Sequence, residues 1–393
     1  MVLLDVLLYG LAAIPLVPIA IFGTECAAAL LPGKTRSSQT TTPRFAVLIP
    51  AHNEAWGIAA TLRELLPQLS PSDRLIVIAD NCSDETAAIA RECGATVIER
   101  QDAINRGKGF ALDFGLHYLD ADPPDIVVMV DADCRVQSGS IQAIAQLSAA
   151  TQRPVQAVYL IEQPPNPTPV SSLSALSCTF KNLVRPMGLY RLGQPCLLTG
   201  SGMAFPWQVI RHAPLASGNI VEDMQLGLDL AIANASPLLC PEARVLGVLP
   251  QQEQAAKSQR TRWEHGHLQT LLTQVPRLFK EAVKQRRLDL LALALDLAVP
   301  PLSLVVMLWM AGLLVTAIAG LLGASWWPAL WLCGGGLLMF ASIVAGWYAY
   351  ACKTISARRL LGVPFYVLWK VPLYAAFLVR RQTKWVRTER DMG

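Results

Sequence analysis

Four short apolar segments, separated by amphipathic stretches, dominate the pattern between residues 45 and 130. They cover residues 45–50, 75–80, 96–99 and 126–130. Continuous segments rich in branched aliphatic residues that alternate with helical stretches are typical of parallel strands covered on both faces. We therefore predict an α/β domain whose ligand lies beyond the carboxyl ends of these strands.

Three longer apolar blocks lie outside this region, at residues 6–22, 290–323 and 326–352. The second block contains Asp296 and a Pro300-Pro301 break, so its predicted span is 301–322. Each block is long enough for a membrane helix, which needs ~20 apolar residues. A cleaved signal peptide is the alternative for the first block, but Asp5 and two prolines favour an uncleaved anchor.

The predicted organisation is an N-terminal transmembrane anchor over residues 1–33, an α/β domain over 44–287, and transmembrane and interfacial helices with a basic tail over 288–393. Lys and Arg residues that precede the second block and follow the third place both flanks in the cytoplasm. The last apolar stretch, residues 360–379, contains Lys370 and is interpreted as an interfacial or re-entrant helix rather than a fourth span. We therefore expect a multi-pass protein of the cell membrane whose α/β domain, with any site that it carries, faces the cytoplasm.

Composition supports this organisation. Hydrophobic residues make up 53% of the chain and charged residues 16%, and the net charge of +4 comes mainly from the membrane flanks, so no nucleic-acid partner is expected. The nine cysteines have no CxxC or CxxH spacing, which indicates neither a zinc site nor a disulfide framework.

Polar residues follow three of the predicted strands, where a nucleotide would bind. They are Pro50, His52, Asn53 and Glu54 after the first strand, Asp80 and Asn81 after the second, and Asp131, Ala132 and Asp133 after the fourth. A dinucleotide-binding enzyme would need a GxGxxG motif after its first strand, and no glycine precedes Gly57 there. Carboxylates beside a diphosphate require a bridging divalent cation, so we predict Mg²⁺ or Mn²⁺ at Asp131 and Asp133.

Several of these residues have simpler interpretations. Asp80 could begin a turn that caps the next helix, and Glu54 could be a first-turn charge that answers the helix dipole. Lys108, in the helix opening at residues 106–109, could contact a phosphate or be solvated. His52 is expected to be a packed or hydrogen-bonded turn residue rather than a metal ligand.

The second half of the domain contains three candidate groups for the acceptor and diphosphate. Residues 198–203, with Gly200 and Ser201, form a small-residue turn that suits close approach of a ligand, or a plain tight loop. Glu222 and Asp223 open a predicted helix, where acidic residues can also be dipole partners only. A later group supplies an amide, a cation and an aromatic ring, or else part of a basic helix on the membrane: Gln259, Arg262 and Trp263.

The order of these motifs resembles that of the family-2 glycosyltransferases, and within them the membrane-bound exopolysaccharide branch related to cellulose, hyaluronan and poly-N-acetylglucosamine synthases. The resemblance covers residues 44–287 and implies a GT-A fold, a Rossmann-like domain for nucleotide-diphospho-sugars. It implies that Asp80 and Asp131 contact the nucleotide, Asp133 the metal, and that Asp223 is the general base. Gln259, Arg262 and Trp263 match the QxxRW motif. Three spans are fewer than cellulose synthases use, which argues against single-chain polymer export.

We therefore expect an inverting, metal-dependent glycosyltransferase that uses a nucleotide-sugar, with a UDP-sugar favoured, and a saccharide or lipid-linked acceptor. One carboxylate suffices as base, because the metal and cations stabilise the leaving diphosphate. Glycosylation of a diacylglycerol- or ceramide-type membrane lipid is the alternative. A non-catalytic transporter or scaffold is the third hypothesis, and intact Asp131, Asp133, Asp223 and Arg262 argue against it. Membrane lipids and export or polymerisation proteins are the expected partners.

Overall fold

The computed structural model describes residues 2–33, 42–163, 166–216, 221–248 and 253–379. The predicted basic tail from Arg380 onward and most of the polar segment at 35–42 lie outside these residues, as do Pro164 and Pro165. The described residues form two compact units, which we call the helical unit (2–33, 166–194 and 267–379) and the α/β unit (the remainder). The predicted domain boundaries at 44–287 and 288–393 stay predictions.

The α/β unit is built on one eight-stranded sheet with the strand order β3-β2-β1-β4-β7-β6-β8-β5. Its strands are β1 Phe45–Ala51, β2 Arg74–Asp80, β3 Thr96–Arg100, β4 Ile126–Met129, β5 Cys134–Val136, β6 Val155–Glu162, β7 Met203–Pro206 and β8 Leu238–Val248. The predicted parallel arrangement is confirmed for β1 to β4. The short strand β7 is antiparallel to both β4 and β6, which makes the whole sheet mixed.

Both faces of the central strands are buried, and this explains the continuous apolar segments. Val47 and Ile49 belong to a core shared with the helices at Ile58–Leu65 and Ser140–Thr151, whereas Leu48 and Ile76 pack in a core with the helix at Lys108–Leu119. The helices of this unit are α2 Ile58–Leu65, α3 Thr86–Glu92, α4 Lys108–Leu119, α5 Ser140–Thr151, α8 Trp207–Ile210 and α9 Glu222–Ile232, with a 3-10 turn at Leu66–Gln68.

The helical unit contains three helices that are long and apolar enough to cross a membrane. These candidate spans are Leu3–Ala29, Leu302–Leu321 and Trp327–Tyr350, and Val363–Phe377 is a shorter apolar helix. They coincide with the predicted apolar blocks, while the number of crossings and the orientation stay predictions. The helices of the unit are α1 Val2–Ala29, α6 Pro169–Thr179, α7 Arg185–Arg191, α11 Leu288–Ala298, α12 Leu302–Leu321, α13 Trp327–Tyr350, α14 Ala357–Leu360 and α15 Val363–Val379, and a π-helical segment, Phe180–Val184, joins α6 to α7. Helix α10, Glu253–Gln285, has residues in both units.

A buried ion cluster connects three elements of the helical unit. Arg185 on α7 donates from Nε to Glu25 on α1 at 2.6 Å and from Nη2 to the Asp296 carboxylate on α11 at 2.5 Å. All three side chains are nearly inaccessible to solvent. One turn along α7, a Cβ on Gly188 would lie 2.0 Å from the backbone oxygen of Glu25, so only glycine allows this helix contact.

Candidate active site

The candidate site lies in the α/β unit, beyond the end of β4, where the chain continues into Asp131. The backbone N–H of Asp131 donates to Ser201 Oγ at 3.0 Å, and this bond holds the Asp131 segment against the 199–202 loop. Lys108, the first residue of α4, forms an ion pair with Asp131 and donates from Nζ to the carbonyl oxygen of Gly200 at 2.6 Å. The segment after β4, the start of α4 and the loop before β7 therefore meet at one point.

Gly200 allows a close approach between its loop and Asp223. Its φ is +94°, in the left-handed region that favours glycine, and a Cβ there would lie 3.0 Å from Asp223 Oδ2. The predicted small-residue turn thus adjoins the proposed base.

The loop is also fixed from within the core by Gln156 on β6, which the sequence analysis did not identify. Gln156 accepts from the Thr199 N–H at 2.9 Å and donates to the carbonyl oxygens of Ser201 and Ala157 at 2.9 and 2.8 Å. This side chain is buried, with 2% exposure. One amide therefore satisfies backbone groups on both sides of Gly200.

Glu222 and Asp223 form the first turn of α9, as predicted, and both are half-buried. Burial raises the pKa of Glu222 to about 7, and the neighbouring Asp223 charge adds to this effect while Lys108 opposes it. Burial lowers the pKa of Lys108, but the charges of Asp131, Glu222 and Asp223 outweigh it and raise the pKa above its ordinary value. Lys108 is therefore a permanent cation among these carboxylates.

Asp131, Asp133 and Cys134 form a group that could hold a metal ion, since one ligand atom of each lies within 4.8 Å of the others. Burial and the Asp133 charge raise the pKa of Asp131 against the opposing effect of Lys108. Burial raises the pKa of the Cys134 thiol well above its ordinary value, so it stays protonated and is a poor ligand. The two carboxylates offer the hard oxygen donors that suit Mg²⁺ or Mn²⁺.

Helix α10 contributes Arg262 to the same region, and Gln259 precedes Arg262 by three residues on this helix. Burial lowers the pKa of Arg262, although four carboxylates act to raise it, those of Glu222, Asp131, Asp133 and Asp223. Arg262 Nε and Gln259 Oε1 are buried and have no hydrogen-bond partner among the described residues. Buried polar atoms of this kind are the groups that a bound anion or sugar would satisfy. Trp263 follows Arg262 on this helix and is partly exposed.

A second group of predicted residues surrounds the ends of β1 and β2. Asp80 is buried and accepts from Arg100 Nη1 at 2.7 Å and from Asn81 Nδ2 at 3.0 Å. His52 Nδ1 lies 2.7 Å from the Asp80 carbonyl oxygen, which agrees with a hydrogen-bonded turn residue. Arg100 was not singled out from the sequence, although it pairs with Asp80 in the β2–β3 register.

The remaining predicted residues of this edge make backbone contacts. Asn53 adopts a left-handed φ of 53° and accepts from the Ser83 N–H at 2.7 Å, and the Glu54 N–H donates to Thr86 Oγ1 at 2.7 Å. Pro50 lies within β1, and the buried Ala132 accepts from Thr61 Oγ1 through its carbonyl at 2.8 Å. Their roles in nucleotide binding stay predictions.

Comparison with protein-family models gives a match over residues 43–266 to the family described as "Glycosyltransferase like family 2". Among curated proteins, the chain is 35% identical over 108 residues to "Probable glycosyltransferase YdaM" of Bacillus subtilis (strain 168), a match that covers 25% of each protein. It is 29% identical over 215 residues to 4,4'-diaponeurosporenoate glycosyltransferase of Staphylococcus haemolyticus, which covers 49% of this chain and 53% of the relative. The chain thus spans a quarter to about half of the length of these relatives.

Among solved structures, the chain resembles the mannosyltransferase PcManGT of Pyrobaculum calidifontis in complex with GDP-Man and Mn²⁺. The TM-score is 0.56 at 18% identity, and the likeness covers 94% of this chain and 99% of that one. The likeness shows the fold, which is the GT-A α/β fold with added apolar helices.

Proposed function

Because the chain belongs to the glycosyltransferase-like family 2, whose model matches residues 43–266, we propose that it transfers a sugar from a nucleotide-diphospho-sugar, with a UDP-sugar favoured, to a saccharide or lipid-linked acceptor. The proposed setting is exopolysaccharide or cell-envelope synthesis. The observation that carries this proposal is the meeting of Asp131, Lys108 and Asp223 around Gly200. Residues so far apart in sequence come together in a polar cluster with both anionic and cationic groups, as a metal-bound diphosphate requires.

Donor binding is assigned to the carboxylates after β4 and to the cations that face them. Asp131 and Asp133 would hold Mn²⁺ or Mg²⁺, and a bound metal would neutralise charge on the diphosphate as it leaves. Arg262 and Gln259 offer a fixed cation and an amide to the same diphosphate, and their unpartnered buried atoms support this role. Trp263 offers an aromatic face to the sugar or base.

The acceptor's proton is assigned to Asp223. A hydroxyl that attacks the anomeric carbon must lose its proton, and a carboxylate at the start of α9 facing the Gly200 loop can accept it. The diphosphate leaves without needing an acid, because cations stabilise it. A single displacement by the acceptor inverts the configuration at the anomeric carbon.

The second candidate is transfer to a membrane lipid of the diacylglycerol or ceramide type. Three apolar helices of membrane-spanning length favour an acceptor that resides in the bilayer. The name of the Staphylococcus haemolyticus relative also gives 4,4'-diaponeurosporenoate as what it glycosylates. For either acceptor, we place the protein in the cell membrane with its catalytic cleft on the cytoplasmic side.

A product assay tests the proposal. The purified full chain in detergent is incubated with Mn²⁺, a panel of UDP- and GDP-sugars, and separate saccharide and lipid extracts, and products are identified by mass spectrometry. We expect one donor to give a glycosylated product, and its stereochemistry, read by NMR, to be inverted. Release of UDP or GDP from the donor without any glycosylated product from either extract contradicts the proposal.

The matched variants are Asp223→Asn and Asp229→Asn, which make the same change on the same helix. Asp223→Asn is expected to lower transfer by ~10²-fold or more, in line with general-base contributions, while UDP binding by calorimetry is retained. Asp229 lies six residues further along α9 and accepts a hydrogen bond from Gln225 Nε2 at 3.0 Å, and its variant should keep activity. Normal transfer by Asp223→Asn would assign the base to another group, with Glu222 the first candidate.

A further inference from the structure

The ammonium group of Lys108 lies against one of the carboxylates that the proposed function assigns to the metal. Its Nζ contacts Asp131, which is one of the two proposed metal ligands, and is fixed there by the Gly200 carbonyl at 2.6 Å. The Lys108 side chain is about one-fifth exposed and that of Asp131 about one-quarter exposed. The contact is therefore a partly desolvated ion pair rather than a fluctuating surface pair, which would contribute little.

The charges around this pair do not balance. Arg262 faces four carboxylates, those of Asp131, Asp133, Glu222 and Asp223, and Lys108 faces three of the same groups. The carboxylates outnumber these two cations by two when Glu222 is ionised and by one when Glu222 holds its proton. Desolvated like charges repel strongly, so the cleft needs cations when no metal is bound.

We propose that Lys108 is the resident counter-cation of the cleft: it occupies Asp131 in the donor-free enzyme, and the metal-bound donor displaces it from this carboxylate onto the diphosphate. This inference rests on the proposed function, because it takes Asp131 and Asp133 as the metal site. The inference adds that the Lys108 side chain and the metal compete for Asp131. This competition determines the order in which the metal and the donor bind. Metal alone meets an occupied carboxylate, whereas metal together with a diphosphate supplies a new anion for Lys108.

The chemistry of lysine suits this exchange. Its ammonium is a compact charge on a flexible four-carbon stem, so it can turn from one anion to another without movement of the backbone. A strained or rigid residue could not do so. The Gly200 loop is anchored to the core by Gln156, and it offers the same carbonyl to Lys108 before and after the exchange.

The test measures two affinities that the proposal moves in opposite directions. Mn²⁺ binding without nucleotide is titrated by electron paramagnetic resonance, and UDP binding at saturating Mn²⁺ is measured by calorimetry, in the full chain in detergent. Lys108→Met is expected to bind Mn²⁺ roughly tenfold more tightly and UDP roughly tenfold more weakly, as removal of a charge-assisted hydrogen bond implies. Lys257→Met removes the same charge from an exposed position on α10 and should change neither affinity.

Every outcome bears on the proposal. If Lys108→Met weakens both affinities, or leaves Mn²⁺ affinity unchanged, Lys108 does not compete with the metal and the inference fails, while the proposed function stands on the wild-type affinities. If wild type binds neither Mn²⁺ nor UDP, the proposed function fails together with it. Should Lys108→Met not fold in EDTA, Lys108→Gln is titrated in its place, and a rise of its Tm with Mn²⁺ that exceeds the wild-type rise supports the exchange.

Discussion

Glu222 offers a direct test of the electrostatics of the cleft through protein stability. Its pKa is about 7 against an ordinary value of 4.5, and the first cause is burial. Between these two values the folded protein keeps a proton that the unfolded chain releases. The contribution of Glu222 to stability is therefore fully present below pH 4.5 and is lost as the pH rises through 7.

The magnitude follows from the size of the shift. Each unit of pKa difference is about 1.4 kcal/mol, so ionisation of Glu222 removes about 3 kcal/mol of folding free energy between pH 4.5 and pH 7. Glu222→Gln cannot ionise and avoids this loss. Relative to wild type, the variant should gain up to about 3 kcal/mol as the pH rises, and the gain should be complete slightly above pH 7.

The assay is thermal unfolding of both proteins in detergent and EDTA at pH 5, 6, 7 and 8. Because 1 kcal/mol moves the Tm of a domain of about 200 residues by roughly 2–4 °C, the Tm difference should widen by roughly 6 °C or more across this range. Asp120→Asn makes a comparable change at an exposed carboxylate and should follow wild type at every pH. A Tm difference between Glu222→Gln and wild type that stays constant with pH refutes the assignment of a buried, neutral Glu222.

Three further predictions concern the buried ion cluster, the α1–α7 contact and the metal site. Arg185→Met leaves Glu25 and Asp296 without their cation and should cost about 3–5 kcal/mol, measured as a lower Tm in detergent. Gly188→Ala should also lower the Tm, because the new Cβ would overlap the Glu25 backbone oxygen and force the two helices apart. Asp133→Ala should weaken Mn²⁺ binding by at least tenfold in a paramagnetic resonance titration, since it removes a carboxylate ligand.

Matched substitutions separate these effects from general damage. Arg277→Met removes an exposed cation of the helical unit, and Gly334→Ala adds a methyl group where no atom lies within 4 Å, so both should keep the wild-type Tm. Asp120→Ala should keep Mn²⁺ affinity. An unchanged Tm in Arg185→Met or Gly188→Ala, or unchanged Mn²⁺ affinity in Asp133→Ala, contradicts the corresponding argument.

The first four strands could be predicted because strands that are buried on both faces consist of continuous apolar segments, which are visible in the sequence. The predicted limits differ from the observed strands by one residue at most at either end. Strand β7 could not be predicted in this way. It has only four residues, too few to show a period, and it is defined by pairing with β4 and β6 on either side. From the sequence, residues 198–203 at its start are interpreted as a turn.

In the candidate site, too, local features could be predicted from the sequence and long-range contacts could not. The end of a predicted strand indicates the position of Asp131 and Asp133, and the start of a predicted helix indicates that of Glu222 and Asp223. Strand ends and helix starts are local features of the sequence. The bond from Lys108 to Gly200 joins residues 92 positions apart, and that from Arg185 to Glu25 joins residues 160 apart. No local pattern encodes such pairs, because they depend on how the elements pack.

The Gln156 side chain has a consequence for how variation in this protein should be interpreted. It forms hydrogen bonds with the backbone at Thr199 and Ser201, and therefore helps to determine the shape of the loop that contacts Lys108 and Asp223. A natural variant at this position would touch no reactant, yet it would alter the cleft as an active-site substitution does. A survey that ranks positions by their distance to the substrate would count a substitution of Gln156 as neutral. We expect instead that Gln156 is retained wherever Gly200 is retained.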